Sequence, residues 1–367
     1  YAFLMKKIST LEITPAQLAL APCNAGVVVT DIKTGEVLAL VSYPGYDNNR
    51  IGDSAYFSQL QNDLSLPLYN NATQAKKAPG STFKPLTAVA ALEENAIGIE
   101  DTIDCTGRYE EIDTPIKCWI YPGRHGPLNM VGGLQNSCNF FFADLGHRLS
   151  MDADGNYVPS LGLDKLHKYA ALFGLDHKSG VEIDELEPQI SDIDPERSAM
   201  GQGNHAYTNV QLSRYVAAIA SRGNVFELSL LDKTTDSEGN LIKDYTPEIS
   251  SHIDAADSTW DTVQQGMREV IASGTAKKLF ADLEVPIAGK TGTAQEAKNK
   301  PNHAFFISYA PYNNPEICVT VNIPFGYSAS NAANIAKSVY QYYYGEIDLE
   351  SILSAGARDA ANVTIRD

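Results

Sequence analysis

The chain has 367 residues, of which 44% are hydrophobic and 20% charged, which is typical of a globular protein with one large domain or two closely packed lobes. Its formal net charge of −17 argues against binding to nucleic-acid phosphates, because that contact requires a basic surface. No stretch reaches the ~18 consecutive apolar residues of a membrane-spanning helix.

A β-hairpin is predicted near the start of the chain. Two β-rich runs, residues 26–32 and 36–43, are separated by Lys33-Thr34-Gly35, and Gly35 suits a turn position with a positive φ angle. We therefore interpret this copy of Lys-Thr-Gly as a turn. A near copy at Lys178-Ser179-Gly180 follows a helical segment and is interpreted as a connector.

Helical periodicity dominates the next part of the chain. Apolar residues recur at helical spacing over residues 81–98, where Gly98 suits the end of a helix. The signals remain mostly helical to about residue 252, with further helices predicted at 132–149, 163–173 and 208–221.

Strands are predicted again near the C-terminal end. A helix is expected over 258–273, opened by Ser258 with Asp261 as its capping-box partner, and a final helix over 331–345. Three strand candidates lie between these helices, at 285–294, 303–309 and 316–323.

This order of elements predicts an α/β (α+β) fold. One antiparallel sheet, assembled from both ends of the chain, would be flanked by helices, with a separate all-helical lobe inserted. The sheet lobe is assigned to residues 25–97 and 258–345, and the helical lobe to residues 98–257. Residues 1–24 and 346–367 are interpreted as an N-terminal linker and a C-terminal tail.

The first candidate for chemistry is the pair Ser81 and Lys84, whose spacing places both side chains on one helix face, one turn apart. Pro85 favours a helix that begins here, since proline fits only the first turn. Ser81 would then face the positive end of the helix dipole. A lysine activates such a serine only when it is neutral, a form that burial and a neighbouring cation both favour. Taken alone, the pair also fits a helix-capping serine beside a surface lysine.

The second candidate is the polar turn Ser137-Cys138-Asn139, which precedes three phenylalanines. Ser137 would suit a proton relay, and Asn139 would suit hydrogen bonding to an amide substrate. Taken alone, the segment also fits a helix cap. Cys138 is not assigned as a nucleophile, because the sequence indicates no histidine base for it.

The third candidate is Lys290-Thr291-Gly292, which continues into Thr293 within an extended, strand-like run. Gly289 and Gly292 inside a strand suggest that another backbone approaches closely. A peptide could add to such an edge through main-chain hydrogen bonds, and the lysine and threonines would suit a carboxylate.

A phosphate-binding loop is the rival interpretation of Gly289-Lys290-Thr291. Glu284 occupies the position of the first glycine of that motif, and its carboxylate would repel a phosphate. The strand interpretation is therefore favoured.

The five cysteines are scattered, with neither a C-x-x-C pair nor a spacing typical of zinc. Cys105 and Cys118 would suit either a disulfide in an exported protein or two isolated thiols, and the sequence leaves both open. No metal site and no cofactor are predicted.

Ser-x-x-Lys and Ser-x-Asn each occur once, in that order, followed by a strand-type Lys-Thr-Gly. With these motifs the chain resembles the penicillin-binding proteins, specifically the transpeptidase domain of the class B, monofunctional enzymes. The resemblance covers about residues 25–345 and implies the penicillin-binding protein and serine β-lactamase-like fold. The segments that carry it, in the family's order, are VTDIKTGEVLALVSYPGYD, PGSTFKPLTAVAALE, NSCNFFF, MGQGNHAYTNVQL, IASGTAKKL, AGKTGTAQ and HAFFISYAP.

The resemblance implies a D,D-transpeptidase that acts on the D-Ala-D-Ala end of a peptidoglycan stem peptide and is acylated by β-lactams. Ser81 would be the nucleophile and Lys84 its base. Ser137 and Lys290 would help pass the proton to the leaving D-alanine, and an amine from a second stem peptide would complete the cross-link.

The resemblance also implies the groups that hold the substrate. The backbone N–H groups of Ser81 and Thr293 would form an oxyanion hole. Asn139 would orient the peptide amide, while Thr291, Gly292 and Thr293 would line the site of the terminal carboxylate. Asn71 and Lys77-Ala78 depart from the family's usual residues at the groove.

Several alternatives share these motifs. A serine β-lactamase or β-lactam sensor would differ from a transpeptidase in its deacylation. A D,D-carboxypeptidase would pass the acyl group to water. A non-catalytic cell-wall scaffold would not be acylated. The expected partners are stem peptides, β-lactams, a membrane glycosyltransferase and other cell-wall proteins. Because the chain begins at Tyr1, we interpret it as a fragment whose N-terminal anchor lies outside it, at the extracytoplasmic face of a bacterial membrane.

Overall fold

The computed structural model describes residues 2–10, 12–13, 24–245, 248–296 and 299–354, so parts of the predicted N-terminal linker and C-terminal tail lie outside the described residues. The strands are β1 (Ala25–Asp31), β2 (Val37–Tyr43), β3 (Ile103–Cys105), β4 (Arg108–Tyr109), β5 (Ile116–Lys117), β6 (Gly126–Leu128), β7 (Asn224–Phe226), β8 (Lys233–Thr235), β9 (Leu241–Asp244), β10 (Ile249–His252), β11 (Ala288–Ala294), β12 (His303–Ala310) and β13 (Ile317–Ile323). The α-helices are α1 (Ala2–Ser9), α2 (Ser54–Asn62), α3 (Lys84–Glu93), α4 (Met130–Gln135), α5 (Asn139–Leu149), α6 (Pro159–Leu172), α7 (Pro195–Ser198), α8 (Asn209–Ala220), α9 (Asp257–Ala272), α10 (Ala329–Tyr343) and α11 (Leu349–Ser354). Within these residues, every helix is too short or too polar to cross a bilayer.

The main sheet is antiparallel and has the spatial order β11-β12-β13-β1-β2. Its central pairing joins the two ends of the chain, with Val28 of β1 opposite Thr320 of β13. The predicted hairpin is present as β1 and β2, and Gly35 in its turn has a φ of 81°. The predicted sheet built from both ends of the chain is therefore confirmed.

Helices cover both faces of this sheet. Every residue of the inner strands β12 and β13 is buried, whereas β2 at the sheet edge is partly exposed. Side chains alternate along β12: Phe305 packs in the same core as Tyr215 of α8, whereas Phe306 packs with Tyr340 of α10. The Asn209 side chain of α8 also donates hydrogen bonds to two strand carbonyls, including that of Thr320 at 3.0 Å. These contacts fix α8 against the sheet.

The start of α3 is held by α8 from the interior of the molecule. A short 3-10 helix, Gly80–Phe83, leads into α3, and every residue of both segments up to Leu92 is buried. The Tyr215 hydroxyl accepts the N–H of Leu86 at 3.0 Å and donates to the carbonyl of Thr82 at 3.2 Å. The predicted helix that carries Ser81 and Lys84 is therefore present, but Ser81 lies in the 3-10 turn before it. The α-helix runs from Lys84 to Glu93 and stops short of Gly98, because Asn95 has a left-handed φ of 53°.

The predicted helix over 132–149 is wrong in one respect, because it is two helices. α4 ends at Gln135 and α5 begins at Asn139, and Ser137 between them has a φ of 48°. A non-glycine residue in this left-handed region cannot continue a helix. The apolar spacing continues across the break, so the periodicity alone did not reveal it.

The predicted capping box of the helix over 258–273 is also wrong. The helix is present as α9, but its N-cap is Ala256, which makes no side-chain cap bond. Ser258 lies one residue inside the helix. Asp261 instead accepts a hydrogen bond from Arg222 at 2.7 Å, because the loop that carries Arg222 packs on this helix.

Two-stranded ribbons connect the helices of the middle segment, and the periodicity did not predict them. They are β3–β6, β4–β5, β7–β10 and β8–β9.

Buried His205 should make the fold sensitive to acid. Its Nδ1 accepts the N–H of Ser191 at 3.0 Å, its Nε2 donates to the carbonyl of Ser198, and its ring packs on Phe83. Burial lowers the pKa of His205 to about 3, from an ordinary value of 6.5. The unfolded chain therefore binds a proton at a higher pH than the folded chain, and stability falls as the pH drops below 6.5.

We expect this histidine to lower the free energy of unfolding by ~3 kcal/mol between pH 7 and pH 4. Urea unfolding of the wild-type chain and of His205→Gln at both pH values measures the effect. Glutamine can make similar hydrogen bonds without titrating, so the variant should lose less stability on acidification. An equal loss in both proteins would contradict the assignment.

Candidate active site

The turn that carries Ser81 lies directly against strand β11. Gly80 has a φ of 54°, and a Cβ atom there would be 2.8 Å from the carbonyl oxygen of Thr293. On the same strand, a Cβ on Gly292 would be 2.9 Å from the carbonyl of Pro79. Glycine at both positions lets the two backbones approach closely, as the strand glycines predicted. Ser81 itself is 5% exposed, at the start of the helix axis of α3.

Lys84 is fully buried, one turn after Ser81, and points at the break between α4 and α5. Its Nζ donates to the backbone carbonyl of Ser137 at 2.8 Å and to Oδ1 of Asn139 at 2.7 Å. The Phe142 ring lies 5.4 Å from the same nitrogen. These hydrogen bonds and the Phe142 ring hold the amine in place.

The hydroxyl of Ser137 lies between two lysines that come from distant parts of the chain. Its Oγ is 2.7 Å from Nζ of Lys290 and 3.3 Å from Nζ of Lys84. Lys290 is fully buried as well and donates a second hydrogen bond to the carbonyl of Thr291 at 3.0 Å. The left-handed backbone at Ser137 places this hydroxyl in the interior, where it connects two amines.

The other predicted site residues lie around these lysines and serines. Asn139 is the first residue of α5 and contacts Lys84. The Thr291 hydroxyl lies 3.4 Å from that of Thr275, a residue the sequence analysis did not select. Thr293 is partly exposed at the strand end nearest the Ser81 turn. The structure therefore brings all three motifs to one place, with Lys33-Thr34-Gly35 elsewhere, in the hairpin turn.

Two buried amines joined through one hydroxyl determine what this arrangement can do chemically. A neighbouring cation and complete burial both disfavour the charged form of a lysine. Because Lys290 donates a hydrogen bond to the Ser137 oxygen, the proton of the Ser137 hydroxyl can point at the Lys84 nitrogen. Lys84 can accept that proton only when its amine is neutral. The site can therefore move a proton between a serine hydroxyl, an amine and a second serine.

Beyond the end of β11, a charged cluster forms one edge of the site. Lys77 and His303 both contact the carboxylate of Glu296, at 2.7 and 3.0 Å. The hydrogen bond from Lys77 lowers the pKa of Glu296 to about 2, and burial lowers the pKa of His303. Asn71 contacts the β1–β2 hairpin instead, because its side-chain amide donates a hydrogen bond to the carbonyl of Tyr43 at 3.1 Å. Of the two sequence departures, Lys77 is thus the one beside the site.

Gly201 also supports the Ser81 turn. Its carbonyl accepts the N–H of Gly80 at 3.0 Å, its φ is 77°, and a Cβ there would be 2.0 Å from the Gly80 oxygen. Gly155 has a similar φ of 80°, but a Cβ there would meet nothing within 4 Å.

These two glycines make a matched pair of substitutions. We expect Gly155→Ala to cost about 1 kcal/mol of stability, from backbone strain alone. Gly201→Ala should cost several times more, as in other overpacked sites, and should slow any reaction of Ser81 because the turn must move. Thermal unfolding and penicillin labelling of both variants check this. Similar results for the two would show that the contact with Gly80 is unimportant.

A second polar cluster lies beside the site and was missed in the sequence. Cys105 and Cys118, whose bonding the sequence left open, are both free thiols. They lie with His125 and Cys138 so that one ligand atom from each residue is within 4.8 Å of all the others. Among the residues that the structure describes, this is the group whose side chains could hold a metal ion. Its members are too far apart in sequence for spacing to suggest it.

The fold and the three motifs together are those of the penicillin-recognising class of proteins. The family model described as "Penicillin binding protein transpeptidase domain" matches residues 25–341, and the chain belongs to this family. The resemblance noted in the sequence is therefore confirmed.

Comparison with individual proteins gives the same result. The chain is 31% identical to peptidoglycan D,D-transpeptidase MrdA of Haemophilus influenzae, over 89% of this chain and 54% of the relative. It thus spans about half the length of the curated relatives it matches. Among solved structures, it is similar to Pseudomonas aeruginosa PBP2 in complex with WCK 5153, with a TM-score of 0.77, 29% identity and coverage of 94% of this chain and 78% of that one. A structure described as a peptidoglycan synthase complex has a TM-score of 0.78 at 27% identity, covering 89% of this chain and 56% of that one.

Proposed function

We propose that the protein is a peptidoglycan D,D-transpeptidase that cross-links stem peptides through an acyl-enzyme on Ser81. The observation that carries this proposal is the Ser137 hydroxyl, held between the amines of Lys84 and Lys290 next to the Ser81 turn. The name of the relative from Haemophilus influenzae supports the same reaction and substrate.

In the acylation step, Ser81 Oγ attacks the carbonyl carbon of the penultimate D-alanine of the donor peptide. The neutral amine of Lys84 takes the hydroxyl proton as the C–O bond forms. The carbonyl oxygen becomes an oxyanion, which accepts hydrogen bonds from the backbone N–H groups of Ser81 and Thr293. One such donor contributes on the order of 3 kcal/mol in other acyl enzymes.

Collapse of this intermediate breaks the peptide bond to the terminal D-alanine. The leaving nitrogen needs a proton, and Ser137 can donate its own while it receives one from the Lys84–Lys290 pair. This leaves an ester between Ser81 and the donor peptide. An amine of a second stem peptide then attacks the ester, loses its proton by the reverse route and restores the Ser81 hydroxyl.

The substrate would lie between α5 and β11. Asn139 would orient the donor amide, and the peptide backbone would pair with β11, which is the end strand of the sheet. Thr291, Gly292 and Thr293 would line the carboxylate site, with Lys290 supplying positive charge. A β-lactam would occupy the same groove and remain attached to Ser81.

We further propose the context expected from the sequence: an extracytoplasmic position at a bacterial membrane and cell-wall proteins as partners. The domain limits proposed for the catalytic unit are residues 25–345. The similar structure described as a peptidoglycan synthase complex, which coordinates polymerization and crosslinking, supports a glycosyltransferase as one partner.

Labelling with a fluorescent penicillin tests the proposal. The wild-type chain should form a covalent adduct that survives denaturation, and Ser81→Ala should form none. Ser150→Ala is a suitable control, because Ser150 is buried but bonds to the carbonyl of Gly146, outside the site. Labelling of Ser81→Ala at the wild-type rate would reject the scheme.

A hydrolase with the same motifs would need a base to activate water. The two acidic side chains buried among the described residues are engaged elsewhere: Glu185 binds Ser179 and Gln211, and Glu196 binds His147 and Tyr157. We therefore expect a long-lived penicillin adduct. Rapid, repeated nitrocefin turnover would favour a β-lactamase, and product analysis with a donor peptide and an amine would separate transpeptidation from carboxypeptidation.

A further inference from the structure

A charged cluster at the end of β11 connects the two segments that carry the proposed oxyanion hole. The N–H groups of Ser81 and Thr293 lie on different parts of the chain, the turn before α3 and strand β11. The two backbones are in close contact at Gly80, where a Cβ atom would be 2.8 Å from the Thr293 oxygen. Repulsion at this contact limits how near the segments can come. Contacts that resist their separation therefore also determine the width of the hole.

Lys77 is anchored by its backbone four residues before Ser81. Its N–H donates to the carbonyl of Tyr207 at 3.1 Å, and its carbonyl accepts the N–H of Tyr207 at 3.0 Å. Tyr207 is fully buried, and its ring is stacked on that of Phe83. The Lys77 side chain therefore extends from a fixed point to the Glu296 carboxylate, 2.7 Å from its amine.

His303 holds the same carboxylate from the side of the sheet. It is 1% exposed and lies at the start of β12, opposite the last residue of β11. Its Nδ1 accepts the N–H of Phe325 at 3.0 Å, so the proton of the neutral ring is on Nε2, which donates to Oε2 of Glu296 at 3.0 Å. Burial lowers the pKa of His303 and the charge of Lys77 lowers it further, which keeps the ring neutral at pH 7.

The loop after β13 supports this orientation of the histidine. Phe325 has a φ of 55°, and its ring packs on that of His303 with the centroids 4.6 Å apart. Such a backbone conformation is unfavourable for a residue other than glycine and persists only where neighbouring contacts maintain it. The Lys77 amine also lies over the Phe325 ring, 5.4 Å from its centroid. Phe325 thus contacts both of the residues that bind Glu296.

We propose that Glu296 is a positioning residue for the acylation step, and that with Lys77 and His303 it forms a clamp that holds the end of β11 against the Ser81 turn. The bond from His303 joins this end to β12, and the bond from Lys77 joins it to the segment that leads to Ser81. The clamp thereby sets the distance between the two N–H donors of the oxyanion hole. Such donors stabilise an oxyanion most when they are in place before its charge develops. The role in acylation rests on the proposed function, whereas the clamp itself does not.

The anchoring of its members makes this ion pair more effective than one on an open surface. Ion pairs between exposed side chains contribute little, because both side chains must be ordered and water screens their charges. The side chains of Lys77 and Glu296 are 27% and 40% exposed. Lys77 starts from an anchored backbone and His303 is buried, so the loss of side-chain entropy falls mainly on Glu296. We therefore expect a larger effect on the geometry of the site than on overall stability.

Glu296→Ala tests the clamp through the kinetics of penicillin acylation. The rate constant of the acylation step should fall roughly tenfold, since a misplacement of about 1 Å can slow a reaction ~10²-fold. The dissociation constant of the complex that precedes acylation should change by less than about twofold, because the oxyanion hole acts mainly in the transition state. Glu296→Gln should recover most of the rate, since its amide oxygen can accept both hydrogen bonds. Equal changes in both constants, or no recovery with glutamine, would overturn the positioning role.

Glu94→Ala is the matched control. Glu94 accepts a hydrogen bond from Lys168 at 2.7 Å and one from the Tyr169 hydroxyl at 3.2 Å, so it also joins a lysine to a ring-bearing residue. It follows the last residue of α3, at the opposite end of that helix from the Ser81 turn. This variant should leave both constants within about twofold of the wild type. A tenfold loss here as well would mean that the effect of Glu296→Ala reflects lost stability.

Lys77→Met shows whether the lysine acts through Glu296. It should slow acylation several-fold in the wild type and by less than about twofold in the Glu296→Ala background, where its partner is already missing. Equal slowing in the two backgrounds would contradict the clamp.

Hydrogen exchange tests the clamp without any reaction. Glu296→Ala should speed amide exchange in the peptides that contain β11 and Ser81, and Glu94→Ala should not. Unchanged exchange in both variants would overturn the clamp. A wild-type chain that penicillin does not acylate would reject the proposed function, and the exchange rates would then decide by themselves whether the clamp holds the two segments together.

Discussion

Lys84→Met is expected to slow acylation by penicillin ~10³-fold, within the range that loss of a general base produces in other enzymes. Methionine fills a similar volume but removes the amine that accepts the Ser81 proton. It also leaves the Ser137 carbonyl and the Asn139 side-chain oxygen without a donor, so a loss of about 1–3 kcal/mol of stability should accompany it. The second-order rate constant of acylation is the measurement.

The control for this prediction is Lys337→Met. Lys337 is 8% exposed and pairs with Asp282, on the far side of the sheet from Ser81. It should change stability without changing acylation by more than about twofold, since it touches no group of the site. Lys84→Met that acylates at near the wild-type rate would show that another group serves as the base.

Lys290→Met is expected to slow acylation ~10²-fold, through two losses. The Ser137 hydroxyl loses the donor that directs its proton at Lys84, and the carboxylate site loses its positive charge. The effect should be larger for a D-Ala-D-Ala peptide than for penicillin if the peptide carboxylate depends more strongly on the charge. Rate constants for both substrates measure the split.

A double-mutant cycle makes this second prediction sharper. If Ser137 and Lys290 act through their shared hydrogen bond, Ser137→Ala should slow the reaction much less in the Lys290→Met background than in the wild type. Fully additive effects would mean that the two residues act independently, contrary to the proposed proton route.

Local patterns predicted the elements that local forces determine. The hairpin of β1 and β2, the helix that follows Ser81 and the three strands near the C-terminal end all follow from short-range periodicity and turn residues. The Ser81–Lys84 pair is local for the same reason, since four residues of helix determine it. The proximity of this pair to Lys290 was inferred from the family resemblance. The structure places the Ser81 turn against β11, which carries Lys290.

The features that the sequence did not reveal depend on tertiary contacts. The break at Ser137 is held by Lys84 and by packing, while the apolar periodicity runs on through it. The cap expected at Ser258 was displaced because Arg222 binds Asp261 from another segment. The cysteine and histidine cluster is assembled from four segments, and its spacing resembles no local metal motif.

Peptide mapping by mass spectrometry after incubation with penicillin tests the central claim most directly. The account predicts a single penicilloyl adduct, on the peptide that contains Ser81, and no mass increase in Ser81→Ala. An adduct on any other side chain, such as Lys84 or Cys138, would contradict it.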